Sequence, residues 1–522
     1  MWKKQEQMDQ LKSATSAVRS ADFARIEEPL FEQARLNGTK TAIIDGEREY
    51  DYRTLANLVE ATATTLTQHG LQPGDRVSIY LDKTAEAVVA LYGVWTAGGV
   101  AVPVNESLKT RQVDHILTNS GSKLVLTNSR MTSKVDETIF LNRAVLQITL
   151  NQEKGTAQSR LRLISSPTNE PAAILYTSGS TGRPKGILIS HENLLAGARI
   201  VSEYLGIQED ERIISILPFS FDYGLNQLLT SVGKGATLVL QRSHFLPDIC
   251  RTLQKHQITA MAAVPPLWIQ LMHGYSPFPT MSFPHLRYMT NSGGVFPVEL
   301  VRKYRAHLPH TRIVLMYGLS EAFRSAYLPP DQIDIRPSSM GKAIPETELF
   351  VLDEEGYECA PGQVGELVHR GPTVALGYWD DPEATQAVFR PDPFASANRE
   401  DRVVYSGDLV KKDEEGYLYF VSRRDQMIKT QGFRISPEEV EEFIFDSELV
   451  SEVAVCGDPD PVSGSVIVAH VVPRNKDTFS TSELLSYCQR EMPSYMVPRM
   501  FRLHDSLPRT ASGKMDRKTL KK

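Results

Sequence analysis

From Tyr176 to Gly186 the chain reads YTSGSTGRPKG, a run whose residue types suit an anion. Glycines let a backbone come close to a charged ligand, and hydroxyls with successive N–H groups donate to phosphate oxygens. Thr177, Ser178, Ser180 and Thr181 supply the hydroxyls, Gly179 and Gly182 the close approach, and Lys185 a cation. The Walker loop needs Gly-Lys followed by Ser or Thr, and Pro184-Lys185-Gly186 stands there instead. A plain solvent turn is the alternative, but the whole run agrees on one chemistry.

The elements around this loop must hold it. It follows an apolar strand, AAILY, and precedes another, ILIS. Between residues 20 and 340 such strands alternate with amphipathic helices. Arg76–Leu81, Lys123–Leu126, Ala172–Thr177, Arg212–Leu217, Ala236–Leu240, Ala260–Val264, Leu286–Thr290 and Arg312–Tyr317 read as strands, and Glu192–Tyr204 and Asp248–His256 as helices. Short apolar strands separated by helices imply two α/β subdomains with parallel sheets covered on both faces. From Gly341 to Arg423 the pattern changes to short strands and turns (ELFVLDEEGYE, VGELVHRG, GYLYFVSR), which predicts a small β-barrel-like subdomain. A final α+β unit begins near Asp425, with helices over Pro437–Phe445 and Thr481–Glu491 and strands over Val450–Gly457 and Val466–Pro473. The expected division is a large unit over 1–424 and a small mobile one over 425–522.

Composition excludes several classes. The 522 residues are 41% hydrophobic and 23% charged, with ordinary glycine and proline content, so neither a disordered nor a collagen-like chain fits. A net charge of −6 argues against a nucleic-acid partner. The four cysteines lie far apart with no CxxC pair, which suits a reducing, cytoplasmic setting. The first residues lack the apolar core of a signal peptide. Ala87–Val104 carries no charge over 18 residues, but Gly98-Gly99 and Pro103 interrupt it. A buried helix stopping near Gly98 and a strand from Val100 to Val104 account for it better than a membrane span.

The loop also carries a resemblance. YTSGSTGRPKG is similar to the phosphate loop of the adenylate-forming superfamily, which includes acyl-CoA synthetases, luciferases and the adenylation domains of nonribosomal peptide synthetases. Further motifs follow in that family's order. Tyr317-Gly318-Leu319-Ser320-Glu321 resembles its adenine and magnesium segment, and Gly365-Glu366-Leu367 with Gly377-Tyr378-Trp379 the next motif. Tyr405-Ser406-Gly407-Asp408 resembles the ribose segment and Ser422-Arg423-Arg424-Asp425 the hinge, with Ser in place of the usual Gly. KTQGFR (429–434) and PRTASGK (508–514) resemble the glycine-containing and catalytic-lysine loops of the small domain.

The resemblance implies a two-step ligase. ATP and a carboxylate form an acyl-adenylate with loss of pyrophosphate, and a thiol then takes the acyl group. Residues 177–182 with Lys185 would hold pyrophosphate, Thr177 lying next to the reacting phosphates. Glu321 would hold Mg²⁺, Tyr317 with Gly318, Ser320, Gly293 and Gly294 would line the nucleotide, and Asp408 and Arg423 would bind ribose. Lys514 would bridge the carboxylate and the α-phosphate. Asp425 would be the hinge about which the small domain turns, bringing Gly432 to a thiol tunnel in the second orientation. ATP and Mg²⁺ are the implied cofactors, with no tightly bound organic group.

The acid is addressed by PFSFDYG (218–224). In amino-acid-activating members a Phe-Asp pair here puts a carboxylate in the acid pocket, so Asp222 implies a substrate ammonium. Capping of the following helix is the alternative. Tyr223, Asn226, Ala263, Thr290, Ser292, Met316, Arg324 and Ser325 carry over as pocket positions, and the bulk of Tyr223, Met316 and Arg324 predicts a small amino acid, proline before alanine. Arg324 departs from the pattern: it could pair with Asp222 or meet an acid group of the substrate. With no carrier sequence after the lysine loop, transfer in trans is expected, to the phosphopantetheine of a peptidyl or acyl carrier protein. An acyl-CoA synthetase for a small carboxylic acid, with coenzyme A as acceptor, is the alternative. Neither nucleic acid nor membrane is expected as a partner.

Overall fold

Apolar strands pair into two large sheets in the computed structural model, which describes residues 23–521 except 142, 149, 151–168, 179–183, 273–274, 396–401, 425, 431–432, 461–463, 493–495 and 512. The first sheet has nine strands. Its interior is parallel, running from Thr41–Asp45 through Thr237–Leu240, Arg212–Ser215, Ala260–Ala263 and Tyr288–Asn291 to Arg312–Leu319. Its margins are antiparallel: Arg48–Asp51 on one side, Ala322–Leu328 and Lys342–Ala343 on the other.

The second sheet has seven strands, parallel from Ala144–Gln147 to Pro171–Ser178 and antiparallel from there through Pro184–Ser190 to Gly377–Tyr378. Both sheets are thus mainly parallel, as expected, with antiparallel strands at their margins. Short connections permit only antiparallel return, and the two functional segments, 176–186 and 317–322, are such connections.

One core joins both sheets. Ile43 and Leu238 of the first and Val77 and Ala173 of the second share it with Leu91, Trp95, Leu194 and Leu228 from helices. The uncharged stretch resolves as anticipated: Ala85–Thr96 is a helix with eleven buried residues, and Val100–Pro103 is a buried strand. Among the described residues no helix is long and apolar enough to cross a membrane. His191–Leu205 starts at a Ser190 cap and stops at left-handed Gly206, φ 69°.

Five strands between Glu348 and Arg423 pair antiparallel in a small sheet of their own, in place of the parallel pattern before them. Its strand pairs follow an open path, Glu348–Leu352 at one margin and Phe389–Pro391 at another, with Leu418–Arg423 branching onto Arg402–Lys412. The last hundred residues carry their own core around Val440, Ile444, Val455 and Leu484. Helices Pro437–Asp446 and Thr481–Glu491 cover a sheet of Val450–Asp460, Gly464–Pro473 and Met500–Leu503.

Candidate active site

The phosphate loop is the bend of a β-hairpin. Thr177 pairs with Lys185 and Ser178 with Pro184, so the two ends of the loop are fixed in register. Gly179, Ser180, Thr181 and Gly182 lie outside the described residues, as do Asp425 and Gly432. The Lys185 ammonium reaches the Asp381 carboxylate at 3.2 Å and stands 5.3 Å from the centre of the Tyr378 ring. It is one-third exposed, so an incoming phosphate can compete for it.

A second hairpin carries Tyr317 and Glu321, expected from the resemblance to serve nucleotide and metal. Strand Arg312–Leu319 turns through Ser320 and Glu321 into Ala322–Leu328, with Leu319 opposite Ala322. The Tyr378 hydroxyl donates to Glu321 Oε1 at 2.7 Å, leaving the other carboxylate oxygen for a cation. Mg²⁺ keeps several waters and takes one or two carboxylates plus substrate phosphates. Glu321 beside the Lys185 hairpin fits that requirement. Tyr378→Phe should raise the Mg²⁺ concentration for half-maximal pyrophosphate exchange about 10-fold, since loss of a ligand's supporting hydrogen bond typically costs that much. A magnesium titration at saturating ATP measures it, and an unchanged midpoint contradicts the role.

Tyr317 lies between hairpin and small sheet. Its hydroxyl donates to Asp408 Oδ2 at 2.5 Å, and its ring stacks on His369 at 5.9 Å with the planes 20° apart. Asp408 and Arg423 are cross-strand partners, with a guanidinium nitrogen 3.4 Å from Oδ1. That Oδ1 is buried and accepts no hydrogen bond, which leaves it for a ribose hydroxyl. Burial raises the Asp408 carboxyl pKa, opposed chiefly by Arg423. His369 is fully buried, and desolvation lowers it to about 3, so a neutral ring backs Tyr317.

The lysine loop closes over these groups. Gly293 has φ +82°, and a Cβ there would lie 3.2 Å from Lys514 Cε and 3.7 Å from the Phe221 ring. Lys514 Nζ stands 5.2 Å from the Phe221 ring centre. The loop is tightened by Thr510 N–H donating to the Lys514 carbonyl at 2.8 Å, and tied to the large unit by Asn105 Nδ2 donating to the Ala511 carbonyl at 3.1 Å. Thus Lys514, 193 residues from Glu321 in sequence, is seated against Gly293 and Phe221.

The acid pocket is buried at nearly every carried-over position. Asp222, Tyr223, Asn226, Ala263, Thr290, Ser292, Met316, Arg324 and Ser325 are each at most 6% exposed. Asp222 opens helix Asp222–Gly233, whose turn is made possible by Gly224: a Cβ there would fall 2.1 Å from the Pro218 carbonyl oxygen. Asp222 Oδ1 accepts from the Tyr223 N–H at 2.8 Å. The Tyr223 hydroxyl meets Thr290 Oγ1 at 2.5 Å, and Tyr204 donates to Met316 Sδ at 2.9 Å. Arg324 Nη1 stands 3.9 Å from Asp222 Oδ2, with its guanidinium 4.8 Å from the Tyr223 ring centre.

These contacts bring residues of the two large sheets, the small sheet and the 508–514 loop together. The AMP-binding enzyme family matches residues 30–379, and the C-terminal domain of AMP-binding enzymes matches 439–514. The chain belongs to the AMP-binding enzyme family. It is 28% identical to a long-chain-fatty-acid–CoA ligase of Bacillus subtilis over 92% of this chain and 91% of that protein. It is 30% identical to the delta-poly-L-ornithine synthetase of Acinetobacter baumannii over 92% of this chain, but only 35% of that longer protein. Among solved structures, o-succinylbenzoate CoA synthetase of Bacillus subtilis with its acyl-adenylate aligns at TM-score 0.82 and 27% identity, covering 95% of this chain and 98% of that one. As an AMP-binding enzyme, the protein is an AMP-forming acid–thiol ligase that uses ATP and Mg²⁺.

That chemistry sets physical requirements. Two anions must meet, and negative charge grows on the phosphate as pyrophosphate departs. Glu321 would hold Mg²⁺, which would supply neutralisation of phosphate charge. Lys185 offers its ammonium from the hairpin. Lys514 presents a second ammonium beside the Phe221 ring. Tyr378, Asp381, His369 and Tyr204 were not singled out from sequence. Tyr378 stood within a quoted motif; the others carried no local signal, because each matters only through a partner distant in sequence.

Proposed function

We propose that the acid activated here is a small amino acid, and that the acceptor is the phosphopantetheine thiol of a separate carrier protein. The observation that carries this reading is Asp222. It is 3% exposed, it opens a helix against the site, and among the described residues no hydrogen bond reaches its Oδ2. A buried carboxylate with a free oxygen is costly unless a cation completes it. A substrate ammonium would do so. Tyr223, Met316 and Arg324 fill much of the space beyond, which supports a small acid; on volume alone proline comes first and alanine next. The relatives that make peptides and those that make coenzyme A thioesters support a thiol acceptor in general. With ATP and a free thiol as co-substrates, the compartment we propose is the cytoplasm. The division at Asp425, with rotation of the small unit between the two steps, belongs to the same proposal.

A second reading rests on Arg324. Its guanidinium at 3.9 Å supplies Asp222 with part of a counter-charge, which favours a small carboxylic acid without an ammonium, passed to coenzyme A. A panel of ATP–pyrophosphate exchange separates the two. The protein amino acids are compared with their des-amino counterparts, and the acyl product is then offered to coenzyme A or to a pantetheinylated carrier protein. Exchange with an amino acid and loading of the carrier are expected. Exchange confined to des-amino acids, with consumption of free coenzyme A, selects the second reading.

A further inference from the structure

Arg324 holds an unusual position for a cation. It is 2% exposed, and of its three guanidinium nitrogens only Nη1 faces an anion. Nε and Nη2 are both buried without a hydrogen-bond partner. Those two nitrogens form the side-on edge of the guanidinium, the fork whose parallel N–H groups match the two oxygens of a carboxylate. The edge is therefore vacant in a place where leaving charged donors unpaired is expensive. The backbone holds it there. Arg324 sits on the return strand of the 312–328 hairpin, across from Gly318, where a Cβ would come within 3.4 Å of Nη1. Behind it, Gly197 of helix His191–Leu205 packs so tightly on the neighbouring Phe323 that a Cβ would fall 2.4 Å from that ring. Stacking over Tyr223 fixes the plane of the guanidinium.

Charge balance narrows what fills this edge. Asp222 and Arg324 together carry no net charge, and they stand at 3.9 Å without a hydrogen bond, so neither is saturated by the other. An ammonium alone would complete Asp222 but lie beside an uncompensated guanidinium. A second carboxylate alone would satisfy the fork but repel Asp222. Only a substrate with both groups satisfies both residues and leaves the buried site neutral.

We infer that the substrate is an acidic amino acid, its ammonium at Asp222, its second carboxylate on the Nε–Nη2 edge of Arg324, and its remaining carboxylate at Lys514 for adenylation. This rests on the amino-acid reading above and replaces the proline-before-alanine ranking, which came from volume alone.

The test is pyrophosphate exchange by the wild-type full chain with aspartate and glutamate, alanine and proline, and succinate and glutarate. One acidic amino acid is expected to exceed alanine and proline by at least 100-fold in specificity constant, and to exceed the matching dicarboxylate similarly. In Arg324→Gln the preference for that amino acid over its counterpart lacking the second carboxylate (alanine for aspartate, 2-aminobutyrate for glutamate) should fall at least 30-fold. Should that variant fail to fold, the wild-type panel decides by itself. A preference for alanine or proline overturns the inference and leaves the amino-acid reading intact. A preference for succinate or glutarate overturns both, while exchange with neither acidic amino acid overturns the inference whatever else is turned over.

Discussion

Lys514→Ala is expected to lower ATP–pyrophosphate exchange by about 100- to 1,000-fold, the usual loss when one preorganised donor to developing charge is removed. Thioester formation from a supplied acyl-adenylate should change little. The reason is geometric. Lys514 reaches the site only because its loop is docked against Gly293, Val264 and Phe221, with Asn105 holding the Ala511 carbonyl. This docked arrangement places an ammonium beside Gly293 and Phe221, where the resemblance puts the reacting carboxylate. Attack of a thiol needs no cation at that point, and in the scheme proposed above the small unit has by then rotated away. Measuring the two half-reactions separately on one preparation decides the matter. Equal loss in both would give Lys514 a structural rather than a chemical role.

Asp222→Ala carries the second large effect. Activation of the amino-acid substrate should fall by two to four decades in specificity constant. Removing one partner of a buried charge pair costs roughly 3–5 kcal/mol, at about 1.4 kcal/mol per decade. Here the loss has two sources, because the substrate ammonium and the Arg324 guanidinium would both lose the same carboxylate. Asp222→Asn keeps the shape, and its side-chain oxygen can still accept from the Tyr223 N–H, so it separates charge from packing. In either variant a des-amino dicarboxylate, succinate or glutarate, should gain relative to the amino acid, since Arg324 would then stand without a competing anion. Near-normal activity of Asp222→Ala with an amino acid would falsify the ammonium site and favour the coenzyme A ligase reading.

Much of the scaffold was legible because it obeys local rules. Strand Ala260–Ala263 and helix Thr481–Glu491 follow directly from apolar runs, alternation and capping residues, and the structure places them within a residue or two of expectation. The uncharged stretch from Ala87 to Val104 was separable into helix and strand because Gly98-Gly99 breaks it. The antiparallel margins were not legible. Strand Ala322–Leu328 follows the turn at Ser320-Glu321 with no Gly-Asn signal, and its direction is set by pairing with Arg312–Leu319. Which strands of the small sheet pair with which is likewise not written in hydrophobic alternation.

The site divides along the same line. The types and order of Lys185, Glu321, Asp408, Arg423 and Lys514 are written in short motifs, and adenylation by an AMP-forming ligase follows from them. Each motif is a short contiguous segment, so its chemistry survives in the linear text. Tertiary structure alone decided which groups face one another. It set Tyr378 on Glu321, Tyr317 on Asp408, and above all Arg324 beside Asp222, 102 positions away in sequence. The physical reason is that a buried charge acquires its meaning from its partner. From sequence Asp222 reads as an ammonium site, with a helix cap or an ion pair with Arg324 as alternatives. Only the 3.9 Å separation and the vacant edge of the guanidinium show a pair that is close yet unsaturated.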